Sequence, residues 1–173
     1  MMRREWLGGS IVLALLMAGF ALKGALISPP QPPARVAAGT FDTQRAVARL
    51  HRILGDQRPH SVDTAADDAV RDQLIAELRA IGLRPEVHEA EDCSGFPATK
   101  IVSCSHVRNV VATIAGRGPG KHLLINAHYD STPTGPGAGD DGIGVATMLE
   151  VAELLKQTPP ARPVTLLFNE GEE

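Results

Sequence analysis

The sequence predicts an α/β domain with a parallel pair of strands, preceded by an N-terminal helix that spans a membrane. Three features predict it: an uncharged apolar run at the N-terminus, two short apolar strands separated by a glycine-rich loop and a helix, and polar clusters at the strand ends. The formal charge of −3 excludes a generally basic nucleic-acid binder, so no nucleic-acid partner is expected. Two cysteines exclude a disulfide-rich mini-protein and a four-thiolate zinc site.

The first 27 residues are predicted to form a short cytoplasmic tip and a transmembrane helix. Residues 6–22 carry no charge. As a helix they are about 25 Å long at ~1.5 Å per residue, slightly less than the roughly 30 Å hydrocarbon core of a bilayer. Lys23 can extend its amine towards the headgroups, so that residues 25–27 add another turn.

Two interpretations of this helix remain open, a retained signal anchor and a cleaved signal peptide. Arg3 and Arg4 keep the N-terminus cytoplasmic in both, so the rest of the chain is translocated. We favour the anchor, because the nearest tolerable cleavage site, Val-Ala-Ala at 36–38, is far downstream. The domain is therefore expected on the non-cytoplasmic side, in the periplasm, the endoplasmic-reticulum lumen or the extracellular space; secretion after cleavage is the alternative.

Residues 28–38 are predicted to be a stiff linker, because four prolines between 28 and 35 fix φ and remove backbone donors. Beyond the linker, Cys93 and Cys104 are expected to form a disulfide, since the translocated side is oxidising and their spacing closes a short loop. The alternative is a pair of buried thiols.

Two amphipathic helices are predicted next. The first begins at Asp42 or Thr43 and ends at Gly55, and the second begins near residue 63 or 64 and ends at Gly82. The charged residues of the second helix are interpreted as a solvated face.

The strands follow these helices. Residues 83–89 alternate weakly, and 107–114 is a β-branched run. The segment 122–127 is predicted to be a strand buried on both faces. A glycine-rich loop and a helix then lead to a strand at 163–168. This order implies a parallel pair, and such sheets bind ligands beyond the carboxyl ends of their strands.

Three polar clusters lie at that edge. His128 and Asp130 follow the first strand of the pair, Asp140 precedes the helix, and Glu172 and Glu173 follow the second strand. Each cluster is a weak signal alone, but together they predict one crevice that binds metal. Zinc accepts imidazole nitrogen and carboxylate oxygen, and two ions roughly 3.5–4 Å apart need a bridging carboxylate.

These residues divide naturally into roles. His128 can bind one zinc ion, Asp140 can bridge two, and Glu173 can bind the other. Asp130 suits the task of accepting the second ring N–H of the histidine, which fixes its tautomer. Glu172 is then free to take a proton from the shared water.

The strings NAHYDSTPTGPGAGDDGIGVATMLEVAELL and LLFNEGEE resemble the co-catalytic zinc aminopeptidase family, and most closely its membrane-anchored branch of endoplasmic-reticulum metallopeptidases and bacterial relatives. The similarity spans about residues 59–173. The order of the clusters carries it, with a step of 12 residues from His128 to Asp140 and of 32 from Asp140 to Glu172. The resemblance implies a three-layer α/β/α fold with a mixed, partly parallel sheet, two zinc ions, the same residue roles and a cis peptide bond between Asp140 and Asp141.

In that family two further ligands, an acidic residue and a late histidine, follow the glutamate pair. We therefore expect residues 39–173 to be the N-terminal part of a zinc exopeptidase domain, truncated after Glu173. The remaining histidines do not occupy ligand motifs and are interpreted as ordinary surface or core residues; they are His51, His60, His88, His106 and His122.

The leading hypothesis is a membrane-tethered zinc aminopeptidase that hydrolyses N-terminal bonds of peptide substrates outside the cytoplasm. One alternative is a related zinc carboxypeptidase or dipeptidase, against which the short step from His128 to Asp140 argues. The other is a non-catalytic, receptor-like domain that keeps the peptidase fold. The sequence makes no prediction of oligomeric state.

Overall fold

The computed structural model describes residues 2–27, 36–96 and 100–173. It divides into two compact units, Met1–Ala34 and Arg35–Glu173, which are described separately. The predicted linker falls outside the described residues except for its last three. The elements are the helices α1 Met2–Leu26, α2 Thr43–Leu54, α3 Ala65–Ala80 and α4 Ile143–Gln157, and the strands β1 Glu86–Phe96, β2 Ile101–Ile114, β3 Leu123–His128 and β4 Val164–Asn169.

The first unit contains α1, a single helix with a strongly apolar sequence. Its segment Gly9–Leu26 has a mean hydropathy of 1.9, and all of its residues are exposed. Large apolar side chains such as Leu13 and Phe20 are exposed along it. A helix of this length and composition can cross a membrane, and a signal sequence has the same properties, so the choice of an anchor stays a prediction.

The second unit is built on a four-stranded mixed sheet with the order β1-β2-β4-β3. The strands β1 and β2, and likewise β2 and β4, pair antiparallel, whereas β3 pairs parallel to β4. The predicted α/β class and the predicted parallel pair are therefore confirmed. The core lies between this sheet and the helices, where Leu74 and Leu78 of α3, Leu149 of α4 and Phe168 of β4 are fully buried.

Side-chain caps define the starts of the first two helices of this unit. The carboxylate of Asp42 accepts the N–H groups of Gln44 and Arg45 at 2.9 and 3.1 Å. The hydroxyl of Thr64 accepts the N–H of Asp67 at 3.2 Å. The predicted helix starts are thus correct. The solvated-face interpretation of α3 is wrong for Asp67, which is completely buried.

The strands β1 and β2 form a hairpin that is longer than the predicted strands. Pairing runs from Glu86 opposite Val111 to Phe96 opposite Ile101. The outer part is solvent-exposed, and its sequence shows no regular alternation of apolar and polar residues that would predict a strand. Cys93 and Cys104 lie directly opposite each other in this part and form a disulfide, which confirms the predicted bridge.

Removal of this bridge is expected to loosen the outer hairpin rather than the core. The cysteines are 11 residues apart in sequence, and the chain-entropy model gives roughly 3 kcal/mol for a loop of this size. In the double variant Cys93→Ser, Cys104→Ser, amide hydrogen exchange should therefore accelerate in residues 101–106 and stay unchanged in β4. Equal acceleration in β4 would contradict this local role.

The strand β3 differs from its prediction. It lies at one edge of the described sheet, and Leu123 and Leu124 at its start are 44% and 57% exposed. The prediction of burial on both faces is wrong for this half of the strand, because only β4 flanks it among the described residues. Ala127 and His128 at its carboxyl end are buried. The well-packed end is therefore the one that carries the candidate site.

Candidate active site

His128, the last residue of β3, has both ring nitrogens engaged. Its Nδ1 lies 3.2 Å from the backbone oxygen of Asp130 and 3.4 Å from the Oδ1 of the same residue. Its Nε2 lies 3.1 Å from Oδ1 of Asp140 and 3.9 Å from Oε2 of Glu172. With the proton on Nδ1 donated to Asp130, the lone pair of Nε2 points towards the carboxylates, as a metal ligand requires.

Asp130 connects the two loops that follow the parallel strands. Its side chain is almost fully buried. One carboxylate oxygen faces the N–H of Glu172 at 3.5 Å, and the other accepts the N–H of Glu173 at 3.3 Å. Because the same carboxylate also faces the imidazole of His128, it sets the position of all three residues relative to one another.

The two aspartates at the start of α4 have different environments. The peptide bond between Asp140 and Asp141 is cis, as the family resemblance implies. The carboxylate of Asp141 accepts the N–H of Gly144 at 3.2 Å and so caps α4. A Cβ at Gly144 would overlap that carboxylate, so a larger residue there would displace the side chain of Asp141. The side chain of Asp140 is 85% exposed and faces His128.

Glu172 and Glu173 complete the cluster. Each offers a carboxylate oxygen, and these two atoms and a ring nitrogen of His128 all lie within 4.8 Å of one another. Both glutamates are exposed, whereas the histidine is buried. The structure therefore brings all five predicted site residues to the carboxyl ends of β3 and β4, and their individual roles stay predictions.

The electrostatic environment of the cluster is negative. Burial alone would lower the pKa of His128, but the hydrogen bond to Asp140 and the charges of Asp130 and Glu172 raise it above its ordinary value. A site that favours a positive charge on an imidazole also favours a bound cation. One imidazole nitrogen and several carboxylate oxygens form a donor set that fits zinc.

A pair of buried carboxyl groups, those of Asp67 and Glu170, is not predicted by the sequence. Glu170 is 5% exposed and Asp67 is fully buried, and the two interact. Burial, followed by the hydrogen bond with Glu170, raises the pKa of Asp67 to about 9. The hydroxyl of Tyr129 donates to the backbone oxygen of Arg108 at 2.7 Å. No motif spacing marks Glu170; its only signal is its place in the string NEGEE.

Among the described residues, the group that could hold a metal ion contains His128 and none of the other histidines. His60 is a core histidine: its Nδ1 pairs with the backbone oxygen of Arg58 at 3.0 Å. Its backbone N–H donates to the hydroxyl of Ser131 at 2.8 Å. In this way it supports the loop that follows β3.

Residues 109–173 match the sequence profile of peptidase family M28. The chain is similar to a vacuolar membrane protease of Eremothecium gossypii, with 32% identity over 133 residues, which are 68% of this chain and 13% of that protein. It is similar to a probable zinc metalloprotease of Pyricularia oryzae, with 31% identity over 170 residues, 87% of this chain and 34% of that protein. The chain thus spans between 13% and 34% of the length of these relatives.

Two solved structures share the fold. A glutaminyl cyclase of Porphyromonas gingivalis superposes with a TM-score of 0.64 and 28% identity, over 78% of this chain and 46% of that one. A Zn-dependent exopeptidase from Parabacteroides distasonis gives a TM-score of 0.62 and 26% identity, over 76% and 47%. The matched part is just under half of each structure.

Proposed function

We propose, because residues 109–173 match the profile of peptidase family M28, that the intact protein is a zinc-dependent metallopeptidase of the aminopeptidase type. One observation carries the proposal: the ring of His128 and the carboxylates of Glu172 and Glu173 converge within 4.8 Å, with Asp140 3.1 Å from the same ring. Four groups of this chemistry at the ends of two parallel strands form a metal-binding crevice.

In the proposed reaction, His128, Asp140 and Glu173 would hold two zinc ions, with Asp140 between them. Zinc bound there would polarise the scissile carbonyl and acidify the attacking water. Glu172 accepts the proton of that water and returns it to the departing amine. Asp130 keeps the Nδ1 proton of His128 in place, so that Nε2 stays available as a ligand.

The spacing of the site residues supports the aminopeptidase type. The step of 12 residues from His128 to Asp140 resembles that of the co-catalytic zinc aminopeptidases and argues against a related carboxypeptidase or dipeptidase. In such a site, one zinc ion and the unpaired N-terminal amine of the peptide would orient the substrate. A free N-terminal amine is thus the feature by which the site would select its peptide substrates.

We propose the predicted domain arrangement for this enzyme: an anchor at 1–27, a linker at 28–38 and part of the peptidase domain from 39 onwards. The apolar helix α1 behind Arg3 and Arg4 supports a membrane anchor with a cytoplasmic N-terminus. The Cys93–Cys104 disulfide supports an oxidising, non-cytoplasmic compartment. Similarity to a vacuolar membrane protease also supports membrane association.

The test uses the purified intact protein and two peptides that differ only in N-terminal acetylation. We expect about two zinc ions per chain, release of the first residue from the free peptide, and no reaction with the acetylated one. A zinc chelator should abolish turnover, and added zinc should restore it. Removal of residues from the C-terminus of the peptide would instead identify a carboxypeptidase. A protein that neither binds zinc nor hydrolyses either peptide would be a receptor-like domain.

A second candidate reaction comes from the structural similarity to glutaminyl cyclases, 28% identical in one case. Such an activity would cyclise an N-terminal glutamine and release ammonia without shortening the peptide. A peptide that begins with glutamine distinguishes the two reactions by mass spectrometry. We expect loss of the glutamine residue rather than of ammonia, because the relatives in sequence are named proteases.

A further inference from the structure

Glu170, the residue after β4, is held at both its backbone and its side chain by the neighbouring strand β2. Its N–H donates to Oδ1 of Asn109 at 3.0 Å. Its Oε2 accepts the backbone N–H of Arg108, and the guanidinium of Arg108 lies 3.7 Å from Oε1. Through these side-chain contacts, the interaction between β2 and β4 continues one residue beyond the end of β4.

The chain turns immediately after this contact. Gly171 has φ +85°, and a Cβ there would lie 2.8 Å from Cγ1 of Val107 on β2. The turn therefore passes too close to β2 for any other residue to fit without a shift. Glu172 and Glu173 follow at once, so their position depends on where Glu170 is held.

The carboxyl group of Asp67, on α3, also interacts with the carboxyl group of Glu170. If both carboxyl groups were ionised, neither oxygen of Asp67 would have a donor, and Oε1 of Glu170 would also be unpaired. The pKa of Asp67 is raised to about 9 by burial and by its hydrogen bond with Glu170, so Asp67 carries a proton at neutral pH. That proton is the donor that the carboxylate of Glu170 needs.

We propose that Glu170 is a positioning residue for the candidate active site. Its carboxylate, held between β2 and α3, fixes the turn 170–173 so that Glu172 and Glu173 face His128. This proposal rests on the proposed function, because it assigns a purpose to the placement of those two glutamates. A buried carboxylate with so many directed contacts stabilises one backbone position, which an apolar side chain of similar size would not do.

The test compares Glu170→Ala with Glu170→Gln in the intact protein. The alanine variant should bind zinc about 10–100-fold more weakly, measured by competition with a chelator, and kcat should fall by a similar factor. KM should change by less than about two-fold, because no contact to substrate is removed. The glutamine variant should restore both quantities to within a few-fold of wild type, because its amide can accept from Arg108 and donate to Asp67.

A matched control separates positioning from general loss of stability. Leu78→Ala removes a fully buried side chain of α3, so it should lower the melting temperature but preserve zinc affinity and kcat below that temperature. Asn109→Ala removes the acceptor for the Glu170 N–H and should reproduce the direction of Glu170→Ala. If the Glu170→Ala protein does not fold, the zinc affinity of Asn109→Ala tests the proposal in its place.

Three outcomes would overturn the proposal: unchanged zinc affinity in Glu170→Ala, unchanged affinity in Asn109→Ala, or an equal loss in Leu78→Ala. Zinc affinity is measured without turnover. Wild-type protein that binds zinc but hydrolyses no peptide would therefore refute the proposed function, while the affinity series would still decide the role of Glu170.

Discussion

Replacement of Glu172 by glutamine is expected to reduce peptide hydrolysis by about 10²–10⁴-fold while zinc content and folding stay nearly unchanged. The amide has the same shape as the carboxylate but cannot accept a proton from water. The side chain of Glu172 is 60% exposed, and its Oε2 lies 3.9 Å from Nε2 of His128. It therefore lies beside the proposed ligands and is accessible to water, as a proton acceptor must be.

Glu173→Gln is the matched control, because it changes the neighbouring residue in the same way. Loss of a charged ligand should weaken zinc binding at one site, and excess zinc should partly restore the activity. Zinc stoichiometry and turnover are measured for both variants. If Glu172→Gln loses zinc but retains turnover per bound ion, the roles of the two glutamates are reversed, which the geometry of the cluster would also allow.

The largest loss of stability is expected from Glu150→Ala. Glu150 lies on α4 with a fully buried side chain. Its carboxylate accepts the backbone N–H of Asp42 at 2.9 Å and pairs with Arg45 at 2.6 Å and Arg49 at 2.9 Å. Removal of the carboxylate leaves the buried cation of Arg49 and the start of α2 without this partner. The free energy of unfolding should fall by about 3–5 kcal/mol, measured by urea denaturation.

Glu153→Ala tests whether burial causes this effect. Glu153 lies one turn further along α4 and also pairs with Arg49, but its side chain is 25% exposed. Solvent screens its charge, so we expect a loss of about 1 kcal/mol or less. Equal losses in the two variants would show that burial of Glu150 is not the cause.

The Glu150 contribution should also depend on pH. Burial alone would raise the pKa of Glu150, but the hydrogen bond from Arg45 and the surrounding charges lower it below its ordinary value. A folded-state pKa below that of the unfolded chain means that the stabilisation is complete above about pH 4.3. It is lost as the pH falls through the folded-state pKa. Wild type and Glu150→Ala should therefore converge in stability in acid.

The parallel pair and the site edge could be predicted from the sequence because their signals are local. The segments that form β3 and β4 are short and mostly apolar, and the polar clusters follow them directly. Parallel pairing then brings the clusters together without further information. The helix starts were similarly predictable, because Asp42 and Thr64 are cap residues in front of apolar periodicity.

Other features depend on tertiary contacts that leave no periodic signal. Asp67 looks like any charged residue in the first turn of a helix, and its burial beside Glu170, the residue after β4, depends on contacts between segments that are distant in sequence. The outer half of the β1–β2 hairpin is exposed on both faces, so cross-strand pairing and the disulfide, rather than a buried stripe, define it. The exposure of Leu123 follows from strand order, which depends on the whole sheet.

The position of Asp130 has a consequence for how a mutation spreads through the site. Its carboxylate faces the ring of His128 at the end of β3 and the amides of Glu172 and Glu173 beyond β4. One side chain thus joins the ends of both parallel strands. A substitution of Asp130 would therefore displace groups on both strands at once, whereas a substitution of His128 or Glu173 would remove one group only.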